Sequence, residues 1–115
     1  TAARNLRGDR EPLVPRLRPR QVRDDGSAVA VGRRKTAVAQ ALLEPVPADA
    51  HAPHIAVNRR ALAEYFPSYR ARDLVLDPLL ASERLGMFRV QLSVRGGGFM
   101  AQAGACRLAI ARALQ

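Results

Sequence analysis

Residues 88–115 read FRVQLSVRGGGFMAQAGACRLAIARALQ, and this stretch joins two different periodicities. Apolar residues alternate with polar or basic ones from Phe88 to Arg95, which predicts a strand with one buried face and one basic face. After the glycines, apolar residues recur at spacings of three and four, which predicts a helix with one inward stripe. That stripe contains Cys106, Ala109, Ile110, Ala113 and Leu114.

The glycines between this strand and this helix, Gly96, Gly97 and Gly98, allow two interpretations. They let the chain reverse and let the helix pack closely on its sheet. Alternatively, a helix start flanked by residues without side chains offers backbone N–H groups to a phosphate. Nearby guanidinium groups favour the phosphate interpretation, and they belong to Arg95, Arg107 and Arg112.

The composition indicates a polyanionic partner. The 115 residues suffice for one domain with a single core, and 19 basic against 10 acidic residues give a net charge of +9. Every basic residue except Lys35 is an arginine. Since the planar guanidinium group fits phosphate oxygens and stacks on bases, nucleic acid is the favoured partner. A membrane partner is not expected, because no apolar run approaches the length of a bilayer span.

The sequence predicts an extended basic N-terminal arm over residues 1–27 and a core domain over residues 28–115. Prolines at three positions prevent a continuous helix in the arm, which carries seven arginines against four acidic residues. Residues 28–44 predict one long strand, kinked or bulged at Gly32, that presents Arg33, Arg34 and Lys35 along its length. A second strand over residues 54–58 is expected to pair antiparallel with it.

The middle of the chain predicts helices. Residues 61–66 form a helical segment that Pro67 interrupts, and Ser68 is placed to cap a further helix. Asp77 and Pro78 are expected to end that helix near Leu76. The order strand, strand, helix, strand, helix predicts a two-layer α+β domain with helices on one face of a small sheet. The opposite face or the rim of the sheet would then carry the arginines.

Enzymatic and metal-binding interpretations lack the residues that they need. His51 and His54 stand three apart, but no cysteine or carboxylate pair completes a metal site around them. Residues 32–36, GRRKT, end like a phosphate-binding loop but lack its first glycine and the helix that should follow. Cys106 falls on the inward stripe and is interpreted as a core residue rather than a reactive thiol. No catalytic residue, no metal and no cofactor is predicted.

Three blocks of the sequence resemble the small-subunit ribosomal protein nine family. The first is GRRKTAVA at residues 32–39, and the second is VNRR at residues 57–60 with EYFP at residues 64–67. The third is VRGGG at residues 94–98, with QAGA and IARAL in the helix that follows. The blocks occur in the family's order and at close to its spacing, over about residues 31–115. The third is highly specific, since few proteins combine this glycine turn with this helix.

The resemblance implies a structural, non-enzymatic constituent of the small ribosomal subunit that supports translation. Such a protein binds ribosomal RNA in the head of the subunit, beside the neighbouring head proteins. The resemblance also implies the fold of the second domain of ribosomal protein five, with a left-handed strand–helix–strand crossover. By position it implies RNA contacts at Arg33, Arg34, Lys35, Arg59, Arg60, Arg95, Gly96, Gly97 and Gly98. The helix arginines Arg107 and Arg112 complete the predicted RNA-binding set.

Two departures from the family's pattern carry further expectations. Family members continue into another helix and a basic tail directed at the peptidyl-site transfer RNA, whereas this sequence stops at Gln115. Either that portion is missing from this sequence, or the protein makes no direct contact with that transfer RNA. The segment before the core and the loop over residues 46–54 are longer than the compact bacterial form needs, and the sequence lacks an initiator Met. We expect a mitochondrial ribosome, with the chloroplast and the bacterial cytoplasm as alternatives.

Two other functions stay open on the sequence. A small-molecule kinase on the same fold also presents a glycine-rich loop to phosphate, but it needs neighbouring serines, an acidic magnesium ligand and a second domain, none of which is evident. An RNA-binding module of another assembly is the second alternative. Salt-sensitive binding without base preference fits both RNA interpretations, whereas phosphoryl transfer would support the kinase.

Overall fold

The computed structural model describes residues 21–22, 26–46 and 54–115. Most of the predicted arm therefore lies outside the described residues, as do His51 and the middle of the loop before the fourth strand. Within the described residues the elements follow in this order: β1 (Gln21–Val22), β2 (Ala28–Arg34), β3 (Ala37–Pro45), β4 (His54–Val57), β5 (Arg60–Ala61), α1 (Leu62–Tyr65), α2 (Tyr69–Ala81), β6 (Phe88–Arg95) and α3 (Phe99–Ala113).

The strands form one six-stranded sheet in the order β1-β2-β3-β6-β4-β5. Strands β2, β3 and β6 pair antiparallel, while β4 pairs parallel with β6 and antiparallel with β5. The parallel connection from β4 to β6 runs through α1 and α2, as a parallel pair requires a crossover. The predicted two-layer α+β architecture, with helices on one face of a small sheet, is confirmed.

The basic triplet does not lie along one long strand, and that prediction is wrong. Residues 28–45 form a hairpin whose strands β2 and β3 are joined at Lys35 and Thr36, with Arg34 paired to Ala37. Lys35 adopts a left-handed φ of 54°, which lets the chain reverse in two residues. Gly32 is no bulge: a Cβ there would collide with the backbone of Ala105 and Ala109 in α3, so Gly32 allows the helix to approach.

The predicted antiparallel pairing of residues 54–58 with the first strand is also wrong. Strand β4 instead lies beside β6, with Val57 opposite Leu92 in the parallel register. The place next to β3 is occupied by β6, which pairs with β3 along its whole length. A parallel pairing between strands separated by two helices leaves no local signal in the sequence, because its register depends on how the helices pack.

Helix α2 runs through Pro78 to Ala81, so the predicted stop at Asp77 and Pro78 is wrong. A proline inside a helix costs about 3 kcal/mol, because it removes one hydrogen bond and crowds the preceding turn. Leu79 and Val75 are fully buried on one side of α2, and each buried side chain of this kind contributes about 1.5–3 kcal/mol. Burial on the far side of the proline therefore holds the last turn in place. Ser68 occupies the N-cap position without making a side-chain capping bond.

The core lies between the sheet and α3, which packs on β2, β3 and β6, with α2 packed against α3 in turn. The alternation predicted for β6 is confirmed, since Val90, Leu92 and Val94 are buried and the residues between them are exposed. The inward stripe of α3 is confirmed as well, with Leu114 half-buried and the rest buried. Burial raises the pKa of the Cys106 thiol to about 12, as expected for a core cysteine. Among the described residues no helix is long and apolar enough to cross a membrane.

Candidate nucleic-acid interface

Three turns meet at one end of the sheet. They are the β2–β3 turn at residues 35–36, the β4–β5 turn at residues 58–59 and the β6–α3 turn at residues 96–98. The antiparallel register places Val38 opposite Arg95, and the parallel register places Val57 opposite Leu92. The ends of β2, β4 and β6 therefore lie toward the same end of the sheet, with β4 ending opposite Leu92, three residues before the end of β6. We call this region the basic end, and it comprises Arg33, Arg34, Lys35, Arg59, Arg60, Arg95, Gly96, Gly97 and Gly98.

The three glycines of the basic end have different roles. Gly96 and Gly97 adopt left-handed φ angles of 82° and 68°, which strain any residue with a side chain. A Cβ at Gly96 would collide with the carbonyl oxygen of Thr36, and one at Gly97 would come within 3.3 Å of the Thr36 Oγ1. At Gly98, by contrast, a Cβ would meet nothing within 4 Å. Close packing thus explains the first two glycines, and the third leaves the start of α3 open.

Asn58 ties the β4–β5 turn to β6. Its side-chain Oδ1 accepts a hydrogen bond from the Val94 backbone N–H at 2.9 Å, and its Nδ2 donates to the Val94 carbonyl at 2.9 Å. Its own backbone N–H donates to the Leu92 carbonyl at 2.8 Å. Asn58 and Arg59 both adopt left-handed φ angles, of 50° and 68°, as a two-residue hairpin turn requires. Asn58 therefore places Arg59 and Arg60 beside the end of β6.

Gln102 supports the glycine turn from inside the protein. Its side chain is only 8% exposed, and its Nε2 donates to the Gly96 carbonyl at 3.2 Å. The Tyr65 hydroxyl, from α1, donates to the Gln102 Oε1 at 2.8 Å. Sequence reasoning assigned no role to Asn58, Gln102 or Tyr65. The signals available were an Asn before a basic pair at a turn and a Gln on the inward side of an otherwise small-residue helix.

Charge is unevenly distributed over the described residues. At and beside the two hairpin turns, residues 33–36 and 58–60 include no acidic residue and five exposed cations: Arg33, Arg34, Lys35, Arg59 and Arg60. The acidic side chains are found on α1, on α2 and the turn after it, and at Glu44 near the far end of β3. The aliphatic part of the Arg34 side chain packs against α3 at Gly104. A Cβ at Gly104 would come within 2.7 Å of the Arg34 Cδ. The basic end therefore concentrates positive charge around an amide-lined turn, which is a geometry suited to phosphate.

The basic end continues onto the exposed face of β4 and β6. An open groove of about 790 Å³ runs along these strands and is lined by side chains from His54, Asn58, Arg59, Arg89, Gln91 and Ser93 among others. The alternation of β6 predicted a polar, basic face there, and the structure confirms that face. The described residues contain no cluster of three or more His, Cys, Asp or Glu side chains.

Two arginines of the predicted set lie elsewhere. The Arg107 Nε donates to the Asp77 Oδ2 at 3.2 Å, an ion pair between α3 and α2 in which both side chains are about half exposed. The Arg112 Nη1 donates to the Val31 carbonyl at 2.8 Å. At about 1.5 Å per residue, these residues stand about 14 and 21 Å along α3 from Gly98. The structure does not bring them together with the three turns, and their contact with RNA stays a prediction.

The fold and this surface define a small α+β domain that concentrates arginines around a glycine turn at one end of its sheet. Residues 32–115 match the family described as ribosomal protein S9/S16. The chain belongs to this family, which confirms the resemblance carried by the three sequence blocks.

Several similar proteins are known under the name small ribosomal subunit protein uS9. The chain is 44% identical to that of Amoebophilus asiaticus over 85 residues, which is 74% of this chain and 62% of the relative. It is 46% identical to that of Leifsonia xyli over 85 residues, 74% of this chain and 48% of the relative. It is 45% identical to that of Chlorobium chlorochromatii over 84 residues, which is 73% of this chain and 61% of the relative. The chain thus spans about half to three-fifths of the length of these curated relatives.

Proposed function

We propose that this chain is a structural constituent of the small ribosomal subunit, that it binds ribosomal RNA through the basic end, and that it supports translation without catalysing a reaction. Family membership supports the assembly, since its relatives are named as small-subunit proteins. The observation that carries the binding mode is the meeting of two arginine-rich hairpin turns with the glycine turn at one end of the sheet.

The proposed mechanism uses charge and backbone geometry. The guanidinium groups of the hairpin turns neutralise RNA phosphates and displace condensed counterions, which makes the affinity depend on salt. The first N–H groups of α3 have no partner within the helix, and the N-cap residue Gly98 has no side chain to accept from them. A phosphate bound at Gly98 accepts hydrogen bonds from these N–H groups. Because three turns contact separate points, RNA shape supplies most of the selectivity and base edges supply little.

The same proposal extends to partners and compartment. We place the chain in the head of the small subunit, next to the neighbouring head proteins. A mitochondrial ribosome is the finer hypothesis, and the long segment between β3 and β4 motivates it. The relatives named above are bacterial, and they motivate a bacterial ribosome instead. An immunoblot signal in small subunits purified from mitochondria supports the first hypothesis. A signal in small subunits purified from bacterial cytoplasm supports the second.

The experiment that tests the function is co-sedimentation with small subunits combined with RNA titration. The tagged chain should migrate with the small subunit in a sucrose gradient at low Mg²⁺, where the subunits are separated. The purified chain should bind a transcript of the head region with an affinity that falls linearly on a log–log salt plot. A chain that stays at the top of the gradient, and whose binding ignores salt, would contradict the proposal.

A further inference from the structure

The start of α3 exposes two apolar side chains beside the basic end. Phe99 and Met100, the first two residues of the helix, are 60% and 49% exposed. They directly follow the open position Gly98. Exposed apolar patches commonly mark binding surfaces.

The Phe99 ring is held in place from below. It meets the rings of Tyr65 and Phe66 edge to face, with centroids 5.8 and 6.1 Å apart and both pairs of planes at 82°. Phe66 is fully buried, and Tyr65 is fixed through its hydroxyl by Gln102. Edge-to-face packing of this kind adds to the burial energy of the rings. The supported ring therefore presents a fixed surface. A ligand that binds to it loses little free energy in immobilising the Phe99 side chain.

We propose that an unpaired RNA base stacks on the exposed surface of Phe99 while the cations of the basic end hold the phosphates on either side. This inference rests on the proposed function and adds a base-contacting residue to it. A flat aromatic surface accepts any base, because every base has a π face, and unpaired RNA bases commonly stack on aromatic side chains.

The surrounding charge favours RNA over a neighbouring protein as the occupant. Residues 33–36 and 58–60, at and beside the two hairpin turns, include five basic residues and no acidic one. A protein covering Phe99 would have to bring an apolar side chain together with a strongly acidic surface. A nucleotide brings a flat apolar base and an anionic phosphate in one unit, which matches the patch directly.

The chain offers a matched control in Tyr69. It is the first residue of α2 as Phe99 is of α3, and it is 68% exposed. Among the described residues, the ring contacts join Tyr65, Phe66 and Phe99 and do not include Tyr69. Tyr69 is therefore an aromatic of similar exposure without the supporting rings.

The experiment compares Phe99→Leu, Phe99→Tyr and Tyr69→Leu in the full 115-residue chain. Three probes are titrated: a short oligoadenylate carrying a fluorescent adenine analogue, an oligouridylate of equal length, and inorganic polyphosphate of similar charge. Leucine keeps apolar volume but removes the π face. Phe99→Leu should weaken oligoadenylate binding about fivefold or more and abolish the fluorescence quenching that stacking produces. It should weaken oligouridylate less and leave polyphosphate unchanged. Phe99→Tyr and Tyr69→Leu should behave like the starting chain.

The contrary outcomes are separate from failure of the proposed function. If Phe99→Leu weakens all three probes equally and also lowers the melting temperature, the ring is structural and the inference is wrong. If Phe99→Leu leaves oligoadenylate affinity and quenching unchanged while charge removal in the β2–β3 turn still weakens binding, RNA binding stands and stacking is wrong. If no probe and no head transcript binds in a salt-dependent way, the proposed function itself fails.

Discussion

The arginines on the hairpin turns and the arginines on α3 have the same chemistry but different surroundings. Those of the turns, at residues 33–34 and 59–60, are exposed and stand together at one end of the sheet. Arg107 on α3 is engaged with Asp77 of α2, and Arg112 donates to the carbonyl of Val31 in β2. The difference teaches that a high arginine content does not itself define an interface. Chain topology decides which guanidinium groups converge and which ones join elements of the fold.

The glycine turn gives the largest expected effect. We expect Gly96→Ala to destabilise the fold by about 2 kcal/mol or more, because it combines left-handed strain with a collision at the Thr36 carbonyl. The hairpin carrying the basic triplet must then move away from the turn, so RNA affinity should fall as well. Urea unfolding measures the first effect and salt-dependent RNA titration measures the second.

Gly98→Ala is the matched control for that substitution. Gly98 has a negative φ and open space around it, so alanine should change stability by less than about 1 kcal/mol. Equal destabilisation by the two alanines would show that the collision at Thr36 does not matter.

The basic triplet gives the next effect. Replacing Arg33, Arg34 and Lys35 together by Gln should leave the fold intact and lower the melting temperature only slightly, because all three residues are exposed and only the aliphatic part of Arg34 packs on α3. The slope of log affinity against log salt should become shallower by about 2 to 3, which corresponds to about 0.7–0.9 for each lost phosphate contact. An unchanged slope would remove the triplet from the interface.

Asn58 tests how the second hairpin turn is held. Asn58→Ala removes both side-chain hydrogen bonds to Val94 and leaves at a φ of 50° a residue that tolerates the left-handed region less well than asparagine does. We expect a loss of about 1–3 kcal/mol in the free energy of unfolding. Asn58→Gly loses the same bonds without the strain, so it should be the milder of the two. If alanine and glycine are equivalent, left-handed strain is absent and only the bonds matter.

Arg107 gives the smallest expected effect and sharpens the comparison most directly. If Arg107 serves the ion pair with Asp77, Arg107→Gln should change stability by less than about 1 kcal/mol, since exposed ion pairs contribute little. The salt slope of RNA binding should then stay the same. A slope shallower by about 0.7–0.9 would instead place Arg107 on a phosphate. Asp77→Asn is the control, because it breaks the pair without removing the cation.

Much of the local structure was predictable from the sequence. The alternation from Phe88 to Arg95 and the spacing from Cys106 to Ala113 each reflect burial of one face of one element, so a single stretch contains the whole signal. The hairpin at Lys35 was missed because no glycine or Asn-Gly pair marks that turn. The stop at Pro78 was wrong because burial of Leu79, an effect of tertiary packing, offsets much of the local cost of proline in a helix.

The candidate site was predictable as a set of residues but not as an arrangement. The sequence identified the triplet, the Arg59–Arg60 pair and the glycine turn, and the family match supports the block pattern that contains them. It assigned no role to Asn58, Tyr65 or Gln102, because their importance lies in hydrogen bonds between elements distant in the chain.

Residue pattern alone determines strand β6, the buried stripe of α3, the basic character of the chain and the family to which it belongs, because each depends on neighbours along the chain or on composition. Only the tertiary structure decides that β4 lies parallel beside β6 and that three turns therefore share one end of the sheet. It also separates the converging arginines from Arg107 and Arg112, which bond to other elements of the fold. The physical reason is that strand pairing and side-chain contacts depend on distances through space, and these are set by packing of the whole core rather than by any one segment.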